Sequence, residues 1–154
     1  MTKKIYTLIF VHKAKQILLG MKKRGFGQGK WNGFGGKLEE GETIEESAIR
    51  EMYEESGLQV SDLKQIGINR FYYTEGDKLM ETYVFVTDTF TGDPTESEET
   101  LPKWFDIDKL PYDSMWPDDK FWMPYLLDGK IFEAEFTFDP NNNLLSHKIT
   151  EVNN

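Results

Sequence analysis

The sequence predicts an α+β fold in which a mixed β-sheet carries helices on its faces. Three observations support this prediction. Short segments rich in β-branched and large apolar residues recur from one end of the chain to the other. One helix with clear start and stop signals is predicted near residues 44–56. A second, shorter helix is predicted near residues 119–127.

The strands are predicted from their composition and from the turns that separate them. IYTLIFV at 5–11 and QILLGM at 16–21 are joined by a short polar turn, as in a hairpin. Six glycines between Gly25 and Gly36 exclude a helix there and predict a loop that approaches another group closely. Further strands, around the turns EGDK and DPNNN and near the second helix, are predicted at 65–74, 79–90, 102–106, 130–138 and 144–152.

The two helices differ in how well their ends are marked. Thr43 followed three residues later by Glu46 predicts a capping box, and Gly57 is a natural stop signal, so the first helix should span residues 44–56. The second helix contains Pro124, which removes one backbone hydrogen bond. We therefore expect that helix to be short, kinked or irregular at its start.

Composition limits the classes of protein to which the chain can belong. Its 154 residues, 38% of them hydrophobic, suit one domain covering residues 1–154. The net charge of −9 argues against a nucleic-acid surface. The absence of cysteine excludes disulfides and suits the cytosol, with the nucleus and mitochondria left open. The apolar run near the start is too short to span a membrane. We expect the protein to be a monomer.

Acidic residues on the first helix raise the question of what compensates their charge. Glu51, Glu54 and Glu55 stand at i, i+3 and i+4, so their carboxylates should converge on one side of the helix. Glu51 and Glu55 also fall inside the apolar arc of that helix, where an uncompensated charge is costly. One reading is a solvated acidic face paired with Arg50. The reading we favour is binding of Mg²⁺, a cation that takes carboxylate oxygens.

The same residues resemble the Nudix hydrolase family. Gly36, Glu42 and the segment REMYEESGL at 50–58 reproduce the whole Nudix box at its spacing. This resemblance implies an α/β/α sandwich around a mixed sheet and hydrolysis of a nucleoside diphosphate linked to another group. It also implies site roles: Mg²⁺ ligation and catalysis by Glu51, Glu54 and Glu55, ligation by the carbonyl of Gly35, and orientation of the glutamates by Arg50.

Outside the box, LLGMKKRGFG, WNGFGGK and MWPDD are similar to the family members that remove oxidised purine nucleoside triphosphates. The similarity implies a small-molecule nucleotide substrate and a nucleotide pocket, with Glu99 as a further metal ligand or base. The pocket would be lined by Thr7, Lys22, Phe26, Asn32, Phe71, Met80, Trp116, Asp118 and Asp119. For most of these residues a purely structural role, in a strand, turn, loop or helix cap, remains the alternative reading.

The resemblance predicts metal-assisted attack of water on the triphosphate, which releases nucleoside monophosphate and pyrophosphate. Adjacent Asp118 and Asp119 in an apolar pocket should share a proton, which would let one pocket accept both 8-oxo-dGTP and 2-oxo-dATP. Two alternatives stay open. One is a Nudix hydrolase for a dinucleoside polyphosphate, a nucleotide sugar or an RNA cap, and the other is a binding module without chemistry.

Overall fold

A computed structural model of the protein describes residues 1–152 as a mixed sheet with a helix on each face. The strands are β1 (Thr2–Lys13), β2 (Gln16–Lys22), β3 (Trp31–Asn32), β4 (Phe34–Lys37), β5 (Gln59–Ser61), β6 (Lys64–Tyr73), β7 (Lys78–Thr87), β8 (Thr89–Thr91), β9 (Thr100–Asp106), β10 (Phe132–Phe138) and β11 (Leu144–Glu151). The helices are α1 (Ile44–Ser56) and α2 (Asp119–Leu127).

The main sheet has the order β11, β10, β6, β7, β1, β2, β3, and β4 and β9 join it through β1 and β2. The pairs β1 with β7 and β10 with β6 are parallel, and the remaining pairs are antiparallel. The first strand pairs with β4 at Tyr6 to Ile9 and with β2 at Val11 to Lys13. This division brings the glycine-rich segment beside the centre of the sheet.

Each face of the sheet packs a separate apolar core against one helix. Met52 of α1 packs with Phe34 and Phe85 on one face, and Trp122 of α2 packs with Phe10 and Phe132 on the other. An edge-to-face contact between aromatic rings stabilises the second core. The ring centroids of Phe10 and Trp122 lie 5.8 Å apart, with an interplanar angle of 66°. The predicted α+β sandwich around a mixed sheet is confirmed.

The ends of α1 follow the local signals in the sequence. The Thr43 hydroxyl accepts from the Glu46 amide at 3.1 Å, and the Glu46 carboxylate accepts from the Thr43 amide at 2.8 Å. Gly57 ends the helix at φ 79°, and its amide donates to the Tyr53 carbonyl at 2.8 Å. The predicted span 44–56 is confirmed. Helix α2 accommodates Pro124 and runs for only nine residues.

The structure corrects the predicted elements in the glycine-rich segment, at Asp88, and at residues 59–61, where the unpredicted strand β5 lies. The glycine-rich segment includes two short strands, β3 and β4, because Gly35 lets β4 lie close to β1. A Cβ at Gly35 would stand 1.9 Å from the Thr7 carbonyl oxygen. The predicted strand at 79–90 is broken at Asp88, after which β8 leaves the main sheet and pairs with β5. Within residues 1–152, no helix is long and apolar enough to cross a membrane.

Candidate active site

Arg50 lies at the centre of an acidic cluster formed by α1 and the segment before it. Its Nε and Nη2 donate to Glu42 at 2.6 and 3.0 Å, while its Nη1 donates to Glu51 at 2.8 Å and to Glu54 at 3.2 Å. The bidentate contact with the guanidinium holds the pKa of Glu42 at about 2. Arg50 therefore ties the segment before α1 to the helix and holds Glu51 in place.

Glu55 lies deeper than the other helix glutamates. Its carboxylate accepts from the Gly35 amide and from the Thr100 hydroxyl, both at 3.4 Å. Burial, followed by the adjacent Glu51, raises the pKa of Glu55 to about 8, and the positive charge of Lys22 acts in the opposite direction. A buried carboxyl beside another carboxyl is a place where bound positive charge would be favourable.

The carboxylates of α1 are not arranged as a closed cage. In the described chain, residues 1–152, no three His, Asp or Glu side chains form a group that would hold a metal ion. Glu54 is 56% exposed and contacts the same Arg50 Nη1 atom as Glu51, so its role as a metal ligand stays a prediction.

Glu51 and Glu55 nevertheless fit a hard divalent cation. Mg²⁺ is commonly bound by one or two carboxylates, with water and substrate phosphate supplying the remaining oxygens. Gly36 leaves space beside the Glu51 carboxylate, because a Cβ at this position would stand 2.8 Å from the Glu51 Oε1 atom. The Gly35 carbonyl remains a predicted ligand.

A cavity of about 210 Å³ lies between the sheet and α2 and reaches Glu55 and Gly35. The nine residues predicted for the nucleotide pocket all border it: Thr7, Lys22, Phe26, Asn32, Phe71, Met80, Trp116, Asp118 and Asp119. One cavity therefore connects the predicted base-binding residues to the acidic residues of α1.

Asp118 and Asp119 are almost fully buried, at 3% and 2% exposure. Asp118 accepts from the Trp122 indole at 2.8 Å, and Asp119 accepts from the Trp116 backbone amide at 3.1 Å. Burial raises the pKa of both carboxyls, and the charge of Asp118 raises the pKa of Asp119 further. The direction of these shifts favours a pair that holds a proton.

The helix-cap reading of this pair is only partly met. Asp118 occupies the position before α2, but within the described chain its side chain makes no capping hydrogen bond. The carboxylate of Asp119 does bind backbone, two residues before that position, at Trp116. The aspartates are therefore held by Trp122 and Trp116, in an orientation that borders the cavity.

The exposed side of the cavity is formed by aromatic rings. Phe26 is 64% exposed, and its ring centroid lies 5.0 Å from that of Trp116 at an interplanar angle of 33°. The Lys30 ammonium stands 5.2 Å from the centroid of the Trp116 ring. These residues give the cavity an aromatic surface against which a base can stack.

Two predicted pocket residues also have the structural contacts of the alternative reading. The side-chain oxygen of Asn32 accepts from the Gly33 amide at 2.8 Å, as in a turn. The hydroxyl of Thr7 lies 3.3 Å from that of Ser47 on α1, so it is directed to the helix. Thr7 therefore borders the cavity with its hydroxyl already engaged.

Comparison with known proteins assigns the family. A sequence model of the NUDIX domain matches residues 2–126, more than half of the chain. The chain belongs to the Nudix family. It is 48% identical over 151 residues to an oxidized purine nucleoside triphosphate hydrolase of Mus musculus, covering 98% of this chain and 97% of the relative. It is 49% identical to the protein of the same description in Danio rerio, with the same coverages.

A solved structure agrees with the Nudix fold over nearly the whole chain. The crystal structure of a MutT protein from Bacillus halodurans superposes with a TM-score of 0.85 at 27% identity, covering 95% of this chain and 97% of that one. The strands and helices around the acidic cluster are therefore those of a known Nudix architecture.

Glu99 is the residue of this Nudix chain whose predicted role is least supported by its contacts. Its carboxylate pairs with Arg24 at 2.6 Å and lies 4.0 Å from the Lys22 ammonium. The adjacent Thr100 is the residue that reaches Glu55. Arg24 holds only the Oε1 atom of Glu99, and a role for Glu99 at the metal stays a prediction.

Several residues at the site were not predicted, although simple periodicity could have found most of them. Tyr73 and Thr82 follow predicted pocket residues by two positions on β6 and β7, and so share their face of the sheet. Trp122 lies one helical turn after Asp118. Tyr6 and Phe138 also border the cavity but carry no comparable local signal.

Proposed function

We propose that this Nudix chain hydrolyses oxidised purine nucleoside triphosphates to the monophosphate and pyrophosphate. The observation that carries the proposal is one cavity that has buried Asp118 and Asp119 at one place on its wall and Glu55 at another. A nucleotide needs these two chemistries together, at its base and at its phosphates. The mouse and zebrafish relatives described as oxidized purine nucleoside triphosphate hydrolases support the choice of substrate.

The aspartate pair would read the hydrogen-bonding edge of the base. A pair that shares a proton presents one donor and one acceptor, and moving the proton between Asp118 and Asp119 exchanges these roles. The base-pairing edges of 8-oxoguanine and 2-oxoadenine place donors and acceptors in different orders. We therefore assign both 8-oxo-dGTP and 2-oxo-dATP as substrates, stacked between Phe26 and Trp116 on one side and the sheet on the other.

The residues of α1 would serve the phosphates. Mg²⁺, when bound, would neutralise phosphate charge and activate the water whose attack on the triphosphate breaks the linkage between the α and β phosphorus atoms. Glu51 and Glu55 supply carboxylate oxygens, Arg50 keeps Glu51 in position, and the Gly35 amide orients Glu55. Glu54, the Gly35 carbonyl and Glu99 are the further ligands we assign.

The chain is proposed to act as one domain and as a monomer. Strand β10 lies beyond the end of the family match at residue 126, yet it pairs with β6 and supplies Phe138 to the cavity. The site is therefore complete only with the C-terminal hairpin. The cytosol is the compartment in which we place this activity.

A single assay tests the proposal against its alternatives. Release of monophosphate and pyrophosphate would be measured in Mg²⁺ from 8-oxo-dGTP, 2-oxo-dATP, dGTP, a diadenosine polyphosphate, a nucleotide sugar and capped RNA. We expect the highest kcat/KM for the two oxidised purine nucleotides. Faster turnover of another substrate would assign a different Nudix activity. Nucleotide binding without turnover of any of these substrates would show that the protein is a binding module without catalytic activity.

A further inference from the structure

Asn69 on β6 is a buried amide that the proposed chemistry does not use. Its side chain is fully buried, at 0% exposure. Its Oδ1 and Nδ2 atoms are the only buried side-chain polar atoms of residues 1–152 that have no hydrogen-bond partner. A buried amide normally finds partners, because leaving it unpaired in an apolar interior is destabilising. Its place in the sheet indicates where such a partner lies.

Asn69 has four neighbours on its face of the sheet, and they identify one candidate hydrogen-bond partner. Thr82 of β7 and Ala134 of β10 flank it across the strands, and Gly67 and Phe71 precede and follow it on β6. Of these four neighbours, only Thr82 has a side chain that forms hydrogen bonds. Directly opposed residues have Cβ atoms about 4.5–5.5 Å apart, so the two side chains are neighbours, although no hydrogen bond joins them in this structure.

Thr82 connects the buried amide to the cavity. It borders the cavity together with Tyr6, its partner on β1. The row Tyr6, Thr82 and Asn69 therefore passes from the pocket wall to the interior within three strands. Ala134, on the far side of the amide, has no side-chain group that could hydrogen-bond it.

We propose that Asn69 is a positioning residue that acts through Thr82. Its amide orients the Thr82 hydroxyl, directly or through one ordered water, and that hydroxyl hydrogen-bonds a polar atom of the bound purine. The inference rests on the proposed function, since it takes the cavity as the purine site. The amide gains its partner when the nucleotide binds, and its contribution is to substrate affinity rather than to the chemical step.

The test combines Asn69→Leu, Thr82→Val and the double variant, each in the full chain. Calorimetry would measure the Kd of 8-oxo-dGMP, and kinetics would measure KM and kcat for 8-oxo-dGTP. We expect each single variant to raise Kd and KM at least fivefold while kcat stays within twofold of wild type. The double variant should bind no more weakly than the weaker single variant, because both changes remove one shared contact.

Thr87→Val is the matched control for loss of a buried threonine hydroxyl. Thr87 donates to the Ser61 carbonyl at 2.6 Å and lies outside the cavity lining, so nucleotide affinity should be unchanged. If Asn69→Leu binds 8-oxo-dGMP as tightly as wild type, the amide is only a tolerated polar group of the core and the proposal is wrong.

A second polar variant keeps the test valid if Asn69→Leu does not fold. Asn69→Ser retains a hydroxyl at the position, and we expect its Kd to lie between those of wild type and Thr82→Val. Wild-type affinity in both Asn69→Ser and Thr82→Val would overturn the proposal. Failure of the proposed function has a different signature, namely a wild-type protein that does not hydrolyse 8-oxo-dGTP.

Discussion

Glu55 combines burial, an adjacent carboxylate and a place on the cavity wall, and these properties make it the most informative single residue of the acidic cluster. The Gly35 amide and the Thr100 hydroxyl leave its oxygens only weakly satisfied, with both contacts at 3.4 Å. A bound cation would complete its surroundings. Neutralising this residue should therefore weaken metal binding while it preserves or raises folding stability.

We expect Glu55→Gln to lower kcat/KM at least tenfold, which corresponds to about 1.4 kcal/mol of transition-state stabilisation. Its thermal stability without Mg²⁺ should be equal to or higher than that of wild type, because glutamine removes the cost of keeping a buried carboxyl protonated, or charged beside Glu51, near neutral pH. Thermal unfolding with and without Mg²⁺ checks this. Glu45→Gln, an exposed change on the same helix, is the control. Full turnover by Glu55→Gln would contradict the metal assignment.

The aspartate pair gives a second prediction at the scale of single residues. Asp118→Asn and Asp119→Asn should damage 8-oxo-dGTP and 2-oxo-dATP hydrolysis unequally, because a fixed amide cannot exchange donor and acceptor roles. The affected nucleotide should lose roughly tenfold to a hundredfold in kcat/KM, equivalent to about 1–3 kcal/mol. Steady-state kinetics on both nucleotides between pH 6 and 9 measures this. Wild-type values for both variants on both nucleotides would leave base recognition to other residues.

The same pair should make folding stability depend on pH. The pKa of Asp119 is raised in the folded state, so above the usual carboxyl range the folded protein holds a proton that the unfolded chain releases. Stability is therefore lost as pH rises from that range towards the folded pKa, by at most about 1.4 kcal/mol per pH unit for one proton. Asp119→Asn lacks this loss.

Urea unfolding of wild type and Asp119→Asn between pH 4.5 and 8 measures the effect. The stability of the variant relative to wild type should increase as pH rises above the usual carboxyl range. A difference that is independent of pH would show that Asp119 does not hold the extra proton.

At the scale of elements, α1 is positioned by Arg50 as much as by its apolar face. The guanidinium joins Glu42, in the segment before the helix, to Glu51 within it. Lysine keeps the positive charge but cannot reproduce the two-point contact with Glu42. The orientation of Glu51 should therefore depend on the shape of the arginine and not only on its charge.

We expect Arg50→Lys to lower kcat at least tenfold, because Glu51 loses its fixed position, and to lower Tm. Thr43→Ala is the control, since it removes the capping hydroxyl of the same helix and should reduce stability by about 1 kcal/mol. Its kcat per folded molecule should match wild type. Equal losses of kcat in the two variants would mean that general stability of α1, rather than Arg50, controls activity.

At the scale of the whole molecule, the C-terminal hairpin completes both the core and the cavity. Phe132 and Phe136 are fully buried, and Phe138 borders the cavity. Phe136 stacks on Phe71 with ring centroids 5.6 Å apart. The family match ends before these residues, so they test whether the chain is one folding unit.

A chain that ends at Gly129 lacks β10 and β11 and should fail to fold, because the aromatic core against α2 would be exposed. Circular dichroism and a hydrolysis assay check this. Leu145→Ser, an exposed change on β11, is the control and should alter stability by no more than about 0.5 kcal/mol. A truncated chain that folds and hydrolyses substrate would show that the hairpin is a separate addition.

Sequence alone determined the parts of the protein whose causes are local. Helix α1 begins at a capping box closed within four residues and ends at a glycine that adopts positive φ, and the spacing of its glutamates follows from the helical repeat. The Nudix resemblance also predicted the nine cavity residues, because a matched motif assigns a role to each of its positions. Local periodicity alone would have added Thr82 and Tyr73.

Tertiary structure decided the features that depend on residues far apart in the chain. The contacts of Glu55 with Thr100, and the burial of Asn69 beside Thr82, depend on strand pairing and register. A shift by one residue would turn every side chain of a strand to the opposite face, and register is selected by burial across the whole sheet. No short segment contains that information, so which polar groups meet at the cavity could be decided only by the folded chain.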